Sequence, residues 1–79
     1  MTVRAFVLIQ TEVGRAVHVV NAIRDIAGVV SADLVTGPYD VIASASTDSI
    51  EELGRVVVSK IQTVEGISRT WTCPIVSID

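Results

Sequence analysis

The chain matches itself at an offset of 38 residues. Val3 falls on Val41 and Ala5 on Ala43; Val19 falls on Val57 and Ile23 on Ile61; Gly28 falls on Gly66 and Val29 on Ile67. Each copy reads as a strand, a helix and a second strand. A β-branched run, Val3 to Ile9, opens the first copy. Wound at 100° per residue, the segment from Gly14 to Ala27 gathers Ala16, Val19, Val20, Ile23, Ile26 and Ala27 on one face, with Gly14, His18, Asn21 and Asp25 opposite. Gly28 stands where a helix C-cap is expected. A strand is predicted from Val29 to Thr36, a turn at Gly37-Pro38, and a third strand from Tyr39 to about Ser46. Thr47, Asp48 and Ser49 offer N-caps, and Glu51 and Glu52 fill a first helical turn, where the helix dipole favours acids. That second helix groups Ile50, Leu53, Gly54, Val57, Ile61 and Val64 on one face and ends at Gly66. The last strand is predicted from Ile67 to about Ile78, with Pro74 marking an edge or a bulge.

Two tandem β-α-β units with right-handed crossovers have one compact solution: a four-stranded antiparallel sheet with both helices on one face, the α+β ferredoxin-like βαββαβ fold. Seventy-nine residues make one domain, residues 1–79, whose isolated stability is marginal. Two helices cover only one side of the sheet, yet both sides carry apolar residues. In the first strand Val3, Ala5, Val7 and Ile9 oppose Phe6 and Leu8. In the second, strict alternation sets Val29 and Val35 against Val30, Ala32 and Leu34. The simplest cover for an apolar open face is a second copy packed about a two-fold axis, so a homodimer is expected.

Composition excludes several classes of function. The net charge is −3 and the six basic residues are scattered, which argues against direct nucleic-acid binding. No apolar run approaches the length of a membrane span, and no secretory signal opens the sequence; the expected location is cytoplasmic. A single cysteine, Cys73, allows no internal disulfide and reads as a packed thiol in an apolar strand. His18 reads as a solvated surface residue. No metal-ligand spacing and no phosphate-binding glycine motif occurs, so neither metal nor cofactor is expected. The chain is expected not to be an enzyme.

The segment Thr36-Gly37-Pro38-Tyr39-Asp40 stands apart. Gly37 permits a tight backbone, Tyr39 joins a flat face to a hydroxyl, and Asp40 sets a carboxylate in otherwise apolar sequence. Two readings fit these residues equally: a site for the ammonium and backbone groups of an amino acid, or a plain turn capped by Asp40.

At these residues the chain resembles a known family. Val-Thr-Gly-Pro-Tyr-Asp-Val, from Val35 to Val41, is similar to the turn signature of the Lrp/AsnC ligand-binding (RAM) domain. Arg4 to Ile9, Ile26 to Val29, and Val64 to Ile67 leading into Thr70 and Thr72 fit the same pattern. The resemblance implies dimers through the sheet faces, higher octamer-like rings of dimers, and amino-acid effectors bound between dimers near the turn after the second strand. It places ligand binding on Gly37, Tyr39 and Asp40, and also on Thr70 and Thr72. Full members of the family carry an N-terminal helix-turn-helix, and nothing precedes Val3 here except Met1 and Thr2. The expectation is therefore a stand-alone effector-binding and oligomerisation module linked to transcriptional regulation, able to co-assemble with full-length regulators. The rival readings are a purely structural oligomeriser and a small enzyme of the dimeric α+β barrel type.

Overall fold

The computed structural model describes residues 2–77. Its elements run β1 (Val3–Thr11), α1 (Ala16–Arg24), β2 (Val29–Leu34), β3 (Val41–Thr47), α2 (Ile50–Arg55) continued by a π-helical segment (Val56–Ile61), and β4 (Ile67–Pro74). The four strands form one antiparallel sheet in the order β2-β3-β1-β4, and the helices pack on one side of it. This is the ferredoxin-like arrangement. The predicted end of β4 at Ile78 lies outside the described residues.

The core forms where the two periodicities meet. Alternation along β1 sends Ala5, Val7 and Ile9 beneath the helices, and in register with them lie Ala45, Ala43 and Val41 of β3, all fully buried. Small alanines at the sheet centre let Val19, Val20 and Ile23 of α1 approach closely, while Leu53, Val56, Val57 and Ile61 close the other half. The helix-covered side is thus the Val3–Ala5–Val7–Ile9 side. Phe6 and Leu8 point to the open side, where Phe6 remains 46% exposed.

Three features differ from the expectations. The first is on β2. A bulge lies between Val29 and Ser31: Val29 pairs with Ala45, but Ser31 already pairs with Ser44. The extra residue, Val30, shifts the alternation by one, so Val29 shares the helix side with Ala32 and Leu34 instead of opposing them. Ser31 and Asp33 then face the open side, and the bulged Val30 is exposed. The second is in the helices. The first stops at Arg24, short of Ala27. The second widens into i→i+5 bonding, with the Gln62 N–H donating to the Val57 carbonyl at 2.9 Å. Three consecutive valines, Val56 to Val58, crowd an α-helical surface. The wider turn buries Val56, which ordinary helical spacing leaves off the apolar face, while Ile50 and Gly54 are exposed. The third concerns Cys73, which is exposed on the edge strand β4 instead of packed.

The repeat survives as an exchange of contacts between halves. Gly66, at φ +102°, has space for no side chain: a Cβ there would lie 3.0 Å from the Arg15 Cβ and 3.2 Å from Val19 Cγ2 of the first half. Its counterpart Gly28 abuts Val56 of the second half in the same way. Each glycine turns the chain out of its own helix and lets it pass beneath the other.

Candidate functional site

The connection between β2 and β3 does not stand off the sheet as a simple hairpin. It folds across the end of β1. The Asp40 N–H donates to the Ile9 carbonyl at 2.9 Å, and the Gln10 side-chain amide donates to the Pro38 carbonyl at 2.9 Å. Gly37 makes this path possible: its φ of +127° suits glycine alone, and nothing lies within 4 Å of where a Cβ would stand. Asp40 locks the crossing. Its Oδ2 accepts from the Thr11 N–H at 2.8 Å and from the Thr11 hydroxyl at 3.2 Å. Asp40 therefore does cap, but it caps the end of β1 and not its own turn. Its other oxygen, Oδ1, has no partner among the described residues.

Crossing β1 carries Tyr39 to β4. The Tyr39 and Trp71 rings meet edge to face, with centroids 5.4 Å apart at 69°. The Arg69 guanidinium lies 4.9 Å from the centre of the Trp71 ring. The result is a half-buried aromatic corner with a cation against the Trp71 ring, and with Tyr39 next in sequence to the Asp40 that holds Thr11.

The structure therefore gathers Gly37, Tyr39 and Asp40, and adds Thr11, Gln10, Arg69 and Trp71, which sequence reasoning does not assign. It does not bring Thr70 and Thr72 to the same place. Those two alternate to the helix side of β4, in register with Ile9 and Val7. The Thr70 hydroxyl accepts from the Gln62 side-chain amide at 3.1 Å, within an open cleft of about 370 Å³ that Ile67, Ser68 and Arg69 also line, so Arg69 borders both places. Thr72 borders another, of about 350 Å³, with Leu53, Val57 and Val58. No residue of the Val35–Asp40 segment lines either cleft. Among the described residues no group of three or more His, Cys, Asp or Glu side chains is placed to hold a metal ion, and no helix is long and apolar enough to cross a membrane.

Known proteins share the sequence and the fold. The chain is 31% identical over 71 residues to an uncharacterized HTH-type transcriptional regulator of Pyrococcus horikoshii, a match covering 86% of this chain and 47% of that protein. The chain thus spans about half the length of the curated relatives it matches. A crystal structure from Thermus thermophilus superimposes with a TM-score of 0.91 at 35% identity, over 98% of this chain and 96% of that one. AsnC of E. coli superimposes at 0.89 with 25% identity, over 96% of this chain and 52% of AsnC. A Neisseria meningitidis transcriptional regulator, solved as a complex with L-Met, shares the fold at 16% identity and a TM-score of 0.83, over 95% of this chain and 50% of that one. The Lrp/AsnC ligand binding domain matches residues 4–78, and the chain belongs to that family.

Proposed function

We propose that this chain is an effector-binding and assembly domain of transcriptional regulation, and that its effector is an amino acid. The observation that carries the reading is the crossed connection. A chain that needed only a hairpin has no use for a route over β1 that sets Tyr39 against Trp71 and ties Asp40 to the end of β1. Asp40 Oδ1 suits an ammonium group, in a charge-assisted bond worth roughly 1.5–3 kcal/mol. The aromatic corner suits the apolar part of the same ligand. The L-Met complex of the Neisseria regulator is a precedent for the ligand class.

In this reading the domain forms a homodimer through its open sheet face. Dimers join further into rings, and the effector sits between dimers. Thr70 and Thr72, facing away from Tyr39 within one chain, then reach the effector from the neighbouring dimer. The chain by itself does not bind DNA; it acts on transcription with full-length Lrp/AsnC regulators, and it catalyses no reaction. A purely structural oligomeriser is the second reading, favoured by the Thr11 bonds, which give Asp40 a role without any ligand.

Calorimetry over the twenty amino acids, on the wild type and Asp40→Asn, separates the two. The asparagine retains an oxygen for Thr11 and removes the charge. Binding by the wild type, weakened about tenfold or more in the variant, is expected, on the rule of 1.4 kcal/mol per factor of ten. Equal affinity removes Asp40 from the site. No binding by the wild type to any of the twenty leaves the structural reading.

A further inference from the structure

The second helix carries two apolar stripes, and one of them is out of use. Wound as a regular α-helix, Ile50, Leu53, Gly54, Val57 and Ile61 share a face. The structure buries a different set, Leu53, Val56, Val57 and Ile61, with Ile50 56% exposed and Gly54 open to solvent. The π-helical segment separates the two stripes. Its wider turn holds one residue more than an α-helix places between the same two ends, so Ile50–Arg55 is turned by about 100° relative to Ile61. Seen from Ile61, Val56 occupies the place that α-helical spacing gives to Val57, and Leu53 the place of Gly54.

The first half of the chain displays the other register. At the offset of 38, Val19 and Ile23 match Val57 and Ile61, and α1 buries both in regular helical spacing. Val56 matches His18, which α1 leaves exposed. A second helix wound like the first buries Ile50 and Gly54 and releases Val56 from its contact with Gly28. The core changes little, since one β-branched residue leaves as another enters. The surface changes more. Ile50, Gly54 and Val58 line the apolar cleft beside Thr72 and Pro74 of β4. On the opposite flank Glu52, Val56 and Lys60 line a polar cleft beside Gly28 and Thr47. Turning Ile50–Arg55 by one residue hands the places of Ile50 and Gly54 to Glu51 and Arg55, so the cleft beside β4 passes from apolar to charged.

We propose that the π-helical segment is a register switch. In the π register the second helix keeps an apolar cleft open beside β4. In the α register it buries Ile50 and Gly54 and lines that cleft with Glu51 and Arg55. An apolar group seated against Thr72 and Pro74 holds the first register; without one, the second is a minor state, populated at roughly 1–10%. The switch does not depend on what binds at Asp40.

Methyl relaxation-dispersion NMR on the full chain, labelled at its isoleucine and valine methyls, reads both sides of the exchange. The wild type is expected to show dispersion at Ile50 and Val56 and none at Ile9 or Val41, which both registers leave buried. Ile50→Lys is compatible with the π register, where residue 50 faces solvent, and forbids the α register; the dispersion at Val56 is expected to vanish. Deletion of the exposed Ser59 removes the surplus residue, so that Val56 and Ile61 fall four apart with the same side chains buried. That variant is expected to fold, by circular dichroism, and to show no dispersion at Val56. A wild type without dispersion at Val56, or dispersion there that persists unchanged in Ile50→Lys, overturns the switch. A deletion variant that fails to fold shows that no residue of the segment is surplus, and overturns it as well.

Discussion

Asp40 holds Thr11 and, in the proposed function, also binds the effector, two duties that ordinary mutagenesis would confuse. Replacing it with alanine strips the half-buried Thr11 N–H of its acceptor, so Asp40→Ala is expected to destabilise the fold by about 1–3 kcal/mol in urea denaturation. Asp40→Asn is expected to lose less than half of that, since an amide oxygen replaces the acceptor. A loss of effector binding in the alanine variant alone therefore says little; the asparagine variant isolates the charge. Residue by residue, the site is half legible in the sequence. Gly37, Tyr39 and Asp40 stand together in the chain, and their chemistry is readable from adjacency. Trp71 and Arg69 enter only through the β1–β4 register, which matches Leu8 to Trp71 and Gln10 to Arg69. No spacing rule in a single sequence reports that pairing. The same alternation, followed through to its three-dimensional consequence, turns Thr70 and Thr72 to the far side of the strand.

At the scale of elements, the repeat and its glycines set the order of strands and helices, and the second helix is capped where the sequence offers a cap. The Glu52 N–H donates to Ser49 Oγ at 3.0 Å, and Glu52 in turn pairs with Arg55 across one turn. Ser49→Ala is expected to cost about 1 kcal/mol, measured as a shift of the urea midpoint at unchanged slope. The bulge at Val30 and the π-helical segment are not legible, for a shared reason. Each inserts one residue into a regular period, and local propensity does not say where the period slips. On β2 the slip is settled by pairing with β3, which needs Ala32 opposite Ala43. In the second helix it is settled by the core, which takes Val56, Val57 and Ile61 together. Cys73 escapes a sequence reading because it pairs with Phe6 and so falls on the open side of the sheet, which no helix covers.

For the whole molecule, the open face is the surface on which the proposed assembly rests. Phe6, Leu8, Ile42 and Trp71 form an apolar strip bordered by Ser44 and Ser46, and removing such a strip from water is worth about 25 cal/mol per Å². Phe6→Asp is expected to leave a folded monomer by light scattering at concentrations where the wild type is at least a dimer. The chain leaving β4 returns to the start of β1: the Ile75 N–H donates to the Arg4 carbonyl at 2.8 Å. Because the two halves are copies, a chain rejoined there by a short linker and reopened between Gly37 and Pro38 would run β3-α2-β4-β1-α1-β2, again two β-α-β units in tandem. Such a circular permutant keeps every strand pairing and the whole open face, so it should still dimerise. It frees Pro38, Tyr39 and Asp40 from their covalent tie to β2, so that the crossing over β1 is held by hydrogen bonds alone, among them those to Ile9, Gln10 and Thr11. In the proposed function, such a cut loosens the connection that presents the effector site while leaving intact the sheet on which folding and assembly rest.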